Sequence, residues 1–170
     1  RDAACPFEFP VVLKPVHEGS SVGVHICRTG ADWASAVDKV QADTREHPSR
    51  VYMIEKAVLG GSELTVGMLD GKALPPIEIK PNVEFYDYEA KYHRNDTQYV
   101  VDPPLPSGVA GAIQTYAKQM FDGLGARHLS RVDFLLDGTG KVWLLEVNTL
   151  PGFTDHSLLP MAANRQGLPM

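Results

Sequence analysis

Short apolar runs and amphipathic stretches alternate along the chain, separated by polar breaks rich in Gly, Ser and Pro. FPVVLKP at 9–15 and SVGVHIC at 21–27 predict two strands joined by the turn VHEGS. TGADWASAVDKVQADT predicts a helix, because Trp33, Val37 and Val40 fall on one stripe and Thr29 with Asp32 makes a capping pair. RVYMIEKAV at 50–58 is the next strand and LGGSE at 59–63 a flexible break. LTVGMLDGKALPPIEI at 64–79 reads as a hairpin turning at Asp70-Gly71. The stretch from Lys80 to Pro106 is long, polar and aromatic, without strong periodicity, a pattern typical of lids and binding loops. From Ser107 a second helix is predicted, with Val109, Ile113, Tyr116, Ala117, Met120, Phe121 and Leu124 on one stripe and Gly123 and Gly125 at its end. Residues 157–166 start a third.

The alternation is most informative in RVDFLLDGTGKVWLLEVNTLPG, residues 131–152. Apolar residues alternate on both sides of a Gly-flanked turn, yet Arg131, Asp133, Glu146 and Asn148 interrupt the strands. With Thr139 and Gly140 at the centre of the turn, Gly138 pairs with Lys141. Asp133 then lies opposite Glu146, and Arg131 opposite Asn148. All four polar side chains share one face, while Val132, Phe134, Leu145 and Val147 share the other. A slip of one residue would destroy that segregation. Directly opposed side chains have Cβ atoms ~5 Å apart, where like charges repel. Three arrangements relieve the pair. A divalent cation can be held by two acids and an Asn amide, as Mg²⁺ is. The acids can lie on a solvated face with Arg131 as their partner. Or they can form a buried dyad sharing one proton.

Composition narrows the classes. The 170 residues are 44% hydrophobic and 22% charged, as in a globular protein of one or two domains. A net charge of -5 argues against a nucleic-acid or anionic-lipid surface, which needs excess Lys and Arg. No apolar run approaches the ~20 residues of a membrane span. Cys5 and Cys27 are too few for a disulfide framework or zinc site, and read as reduced thiols of a cytoplasmic protein. There is no signal pattern at the start, RDAACPFEF, which also lacks Met.

A second piece of chemistry lies in LKPVHEGSSVGV, residues 13–24. Lys14 ends an apolar strand, and Glu18, Gly19, Ser20 and Ser21 follow before Gly23. Small residues let backbone N–H groups approach an anion, hydroxyls add donors, and Lys supplies charge. The Walker A pattern is absent. By itself such a loop is most often a plain hairpin turn; beside a magnesium hairpin it reads as a phosphate lid.

KPVHEGSSVGV, IEKAVLGGSELTV, FYDYEAKY, RVDFLL and LLEVNTLPGFTDHSLLPMAA, in that order and spacing, resemble the ATP-grasp D-alanine–D-alanine ligases from about Phe9 to the end. The resemblance implies an α+β ATP-grasp fold, in which two lobes with antiparallel sheets and packed helices clamp a nucleotide. The small lobe would span 1–60 and the large lobe 61–170, with a mobile loop at about 82–98 and the catalytic hairpin at 131–148. It implies ATP-dependent joining of two D-alanines through a D-alanyl phosphate, for peptidoglycan precursors and hence cell-wall biogenesis and cell shape. Lys14 would contact the α- and β-phosphates, Glu55, Lys56 and Val58 would read adenine, and Glu63 would hold the ribose. AVLGGSE carries one residue more than the family pattern between hinge and ribose acid. Ser20 and Ser21 would cover the γ-phosphate, Lys91 would neutralise it, and Tyr92 would bond to Ser20.

The resemblance also assigns Asp133, Glu146 and Asn148 to two Mg²⁺ ions, with Mn²⁺ as a substitute. Arg131 and the backbone N–H of Gly152 would stabilise the tetrahedral oxyanion, and Ser157 with the N–H of Leu158 would hold the second D-alanine. Asp155 stands where relatives often have Ser, and the intact EAKY favours an amine nucleophile. Expected partners are ATP and D-alanine, with no nucleic acid or membrane, and a homodimer in the full-length protein. The family pattern further implies an N-terminal domain for the first D-alanine, so that these residues alone would turn over poorly. Two other classes fit the same residues: a sister ligase using D-serine or D-lactate, and a non-catalytic nucleotide-binding fragment.

Overall fold

Apolar strands need a covering layer, and helices supply it in each half of the chain. The computed structural model describes residues 4–19, 21–80 and 97–168. They divide into two compact units, one of residues up to Val58 and one from Leu59 onward.

The first unit is a three-stranded antiparallel sheet covered by one helix. Strands β1 (Val11–Pro15), β2 (His25–Cys27) and β3 (Tyr52–Lys56) are ordered β2-β1-β3. Val11, Leu13 and Cys27 pack against Trp33 and Ala36 of helix α1 (Gly30–Glu46). The helix begins where expected, with the Thr29–Asp32 capping box formed in both directions. The strand expected at 21–27 is shorter. Ser21 and Gly23 have φ of 60° and 68°, so the chain turns there and pairs only from His25. Cys5 and Cys27 are both free thiols.

The second unit is built on one larger antiparallel sheet. Strands β4 (Ser62–Leu69), β5 (Lys72–Ala73), β6 (Ile77–Lys80), β7 (Gln98–Val101), β8 (Leu129–Leu136) and β9 (Val142–Asn148) form it, in the order β7-β6-β4-β8-β9 with β5 beside β4. The Asp70-Gly71 turn is present, both residues having positive φ as a type I′ hairpin requires. The expected long loop contains a strand after all: β7 pairs with β6 from Ile77↔Val101 to Lys80↔Gln98. It was hidden because QYVV is short and edge-placed, with no alternation long enough to read.

Helix α2 (Val109–Gly123) covers one face through Val109, Ile113, Ala117 and Phe121, against Leu64, Val66, Met68, Val132 and Phe134. Tyr116 and Leu124, placed on that stripe by their spacing, are instead exposed. Helix α3 (Leu158–Arg165) covers part of the other face, packing Leu159, Ala162 and Ala163 on Leu74 and Ile77. Its approach depends on Gly67, where a Cβ would stand 3.1 Å from Leu74 Cδ1 and 3.4 Å from Leu159 Cγ. The polar side chains of Thr65, Arg131 and Asp133 lie on that same face. Among the described residues, no helix is long and apolar enough to cross a membrane.

Candidate active site

Strands β4, β8 and β9 lie side by side, and alternation puts Glu63, Thr65, Arg131, Asp133, Glu146 and Asn148 on one face. Asp133 pairs directly with Glu146 and Arg131 with Asn148, which is the arrangement derived from the alternation. The route to it differs. At the turn end Leu136 pairs with Val142, one residue out of the expected register, and Gly140 (φ 85°) closes a three-residue loop, 138–140, instead of a two-residue turn. A bulge between Asp133 and Phe134 restores the register. Leu144 therefore pairs with Phe134, and Leu145, expected on the buried face, is exposed. Asp137 fixes the loop by accepting from the Thr139 hydroxyl and N–H, the Lys141 N–H and the Trp143 indole.

The two acids are unlike. Asp133 is 3% exposed, whereas the Glu146 side chain is half-exposed. Arg131 donates through Nε to Asp133 Oδ1 at 2.9 Å and through Nη2 to Oδ2 at 2.8 Å, a bidentate fork. The same Nη2 lies 4.0 Å from Glu146 Oε1. Burial works against the charged guanidinium, but the hydrogen bond and charge of Asp133, with Glu146 and Glu63 nearby, hold its pKa above the usual value. Arg131 thus offsets the repulsion between the acids. Thr65 adds a bond to Asp133 from the neighbouring strand: its hydroxyl lies 2.6 Å from Oδ1.

The acids, with the Asn148 amide beside them, are hard oxygen donors on one face, a set that fits a divalent cation. Asn148 Oδ1 accepts from the Leu150 N–H at 3.0 Å, which fixes the amide orientation. Among the described residues no group of three His, Cys, Asp or Glu side chains is gathered for a metal, so the amide is a necessary part of the set. Past β9, Gly152 and Ser157 approach each other so closely that a Cβ on Gly152 would be 3.0 Å from Ser157 Oγ. Ser157 Oγ accepts from the Thr154 N–H at 2.9 Å, and Leu158 opens α3.

In the first unit, Lys14 Nζ meets Glu55 Oε1 at 2.5 Å. Residues Lys56 and Val58 follow at the end of β3, Lys56 exposed. The Gly-Ser loop is tethered at Glu18, which pairs with Arg50 at 2.8 Å; Arg50 in turn pairs with Asp43, as does the Tyr52 hydroxyl. Ser21 holds its positive φ beside this anchor. Ser20, Lys91 and Tyr92, and nearly all of the loop expected at 82–98, lie outside the described residues.

Thr65 escaped the sequence reading. Its signal was a hydroxyl inside the apolar run LTVGML, which by itself reads as ordinary strand propensity. Only the pairing of β4 with β8 sets it against Asp133.

A family profile, the D-ala D-ala ligase C-terminus, matches residues 2–170. The chain belongs to the D-alanine–D-alanine ligase family. It is 45% identical over 155 residues to the D-alanine–D-alanine ligase of Hydrogenovibrio crunogenus, covering 91% of this chain and 48% of that protein. Among solved structures it resembles the D-alanine–D-alanine ligase of Bacillus anthracis complexed with ATP, with a TM-score of 0.72 and 31% identity over 95% of this chain and 48% of that one. It also resembles a D-Ala:D-Ser ligase from Enterococcus faecalis, with a TM-score of 0.77 and 28% identity over 96% of this chain and 47% of that one. The α+β architecture with antiparallel sheets is thus an ATP-grasp fold. The chain spans about half the length of the curated relatives it matches.

Proposed function

We propose that this chain supplies the nucleotide-binding and catalytic portion of an enzyme that joins two D-alanines to D-alanyl-D-alanine at the expense of ATP, for peptidoglycan precursors. The observation that carries the reading is the Asp133–Glu146 pair, with Arg131 reaching both acids on one face of the sheet.

The first D-alanine carboxylate attacks the γ-phosphorus of ATP and ADP leaves. The amine of the second D-alanine then attacks the acyl carbon of D-alanyl phosphate, and inorganic phosphate departs. Lys14, with Ser20, Ser21 and Lys91, supplies charge and donors to the phosphates. Glu55, Lys56 and Val58 would bind adenine and Glu63 the ribose, and the family pattern assigns Tyr92 to Ser20. Asp133, Glu146 and Asn148 would hold Mg²⁺ (two ions, with Mn²⁺ as a substitute), which supplies neutralisation of phosphate charge. Arg131 and the Gly152 N–H donate to the oxyanion that develops on the attacked carbonyl. Ser157 and the Leu158 N–H hold the second carboxylate; the N–H is one of the donors a helix start leaves unbonded. The protein would work in the cytoplasm, where ATP is made available, as a homodimer.

Support for D-alanine as second substrate comes from the curated relative's activity and from the intact EAKY; the resemblance to a D-Ala:D-Ser ligase keeps D-serine as the alternative. Phosphate release by the full protein, measured with ATP, Mg²⁺ and D-alanine alone or with D-serine or D-lactate added, separates them. D-alanine alone should suffice, and release only on adding another nucleophile would reject it. Asp133→Asn with Glu146→Gln should lower turnover by at least ~10–100-fold and remove the Mg²⁺ dependence of ATP affinity. A non-catalytic nucleotide binder would keep that dependence.

A further inference from the structure

Asp133 is the more buried of the two acids, and what orients it bears directly on any cation it holds. It has two kinds of holder. Arg131 grips both carboxylate oxygens, but Arg131 also reaches toward Glu146 and is the group assigned above to the reacting carbonyl. A side chain with that second duty cannot be the fixed support. Thr65 can. It sits on β4, between β6 and β8, directly opposite Asp133, and is 1% exposed. Its single hydroxyl proton has two candidate acceptors, Asp133 Oδ1 at 2.6 Å and the Val132 carbonyl at 3.4 Å. The shorter contact, to a charged acceptor, takes it.

We infer that Thr65 is a positioning residue for the metal-binding face: its hydroxyl holds Asp133 Oδ1 and thereby fixes the direction in which the other lone pairs meet a divalent cation. The inference rests on the magnesium reading of the hairpin. Groups that orient a ligating carboxylate contribute to affinity without touching the metal, and their loss typically costs 10–100-fold. A Thr that served only to satisfy a buried carboxylate would affect folding stability and nothing else.

The test uses the full protein with Mn²⁺ as the probe. Free Mn²⁺ is followed by electron paramagnetic resonance in the presence of a non-hydrolysable ATP analogue, alongside thermal melting. Thr65→Val keeps the volume and deletes the donor, and should weaken Mn²⁺ binding by about 10–100-fold while leaving metal-free analogue affinity unchanged. Thr65→Ser restores the hydroxyl and should return binding to within about threefold of the parent, because the donor and not the methyl matters. Should the valine variant not fold, Thr65→Cys, with only a weak S–H donor, is read in the same way. Parental Mn²⁺ affinity in Thr65→Val or Thr65→Cys, or equal loss in Thr65→Ser, overturns the inference. Asp133→Asn separates the two readings: if it too binds Mn²⁺ like the parent, the magnesium site itself fails. If it weakens binding and Thr65→Val does not, only the role of Thr65 fails.

Discussion

Asp137 shows how much a single turn carboxylate can organise. Its oxygens accept from Thr139, Lys141 and Trp143. The Thr139 and Trp143 side-chain bonds, helped by the backbone N–H groups, hold its pKa well below the ordinary carboxylate range. A depressed folded pKa stabilises the fold fully above the unfolded value of about 4, and that stabilisation is lost as pH falls through the folded value. Asp137→Ala should therefore melt below the parent at pH 7, and the gap should narrow as pH drops below about 4. A gap independent of pH would count against the charge-assisted bonds. None of this was visible beforehand, because DGTG reads only as a flexible turn. Asp133 and Glu146 were legible, since acids inside an apolar strand break a pattern. Thr65 was not, since Thr suits strands anyway.

At two glycines neighbouring elements come so close that a Cβ would crowd them. A Cβ on Gly61 would lie 1.9 Å from the Leu136 carbonyl oxygen, a backbone atom held by the β4–β8 pairing. At Gly67 the obstacle is the flexible end of Leu74 at 3.1 Å. Gly61→Ala should thus destabilise the protein by at least the ~1–3 kcal/mol typical of overpacking, and more than Gly67→Ala, in chemical denaturation. Equal costs would mean that the β4–β8 pairing yields easily. The β8–β9 hairpin shows how a register can be inferred correctly from an incorrect turn. The assumed two-residue turn is one residue out, and the bulge between Asp133 and Phe134 cancels the error at the acids. Segregation of four polar side chains onto one face constrains pairing locally, whereas bulges are set by packing that alternation does not encode.

In the molecule as a whole, each unit has its own core: Val11, Leu13, Cys27, Trp33 and Ala36 in one, and the two clusters on either face of the larger sheet in the other. Trp33→Ala, at the ~3–5 kcal/mol typical of deleting a buried aromatic, should expose the amides of β1 and β3 to hydrogen exchange. The amides of β4 and β8 should keep their protection. Uniform loss would indicate a single cooperative unit. The chain's periodicities and turn residues, by themselves, determined helices α1 and α2, the Asp70-Gly71 turn and the shared face of Arg131, Asp133, Glu146 and Asn148, because these depend on residues within one segment. Tertiary structure alone decided that β7 joins β6 and that Thr65 faces the buried acid. Those facts depend on which distant strands become neighbours, and pairing across about 68 residues leaves no periodic trace in the segments that meet.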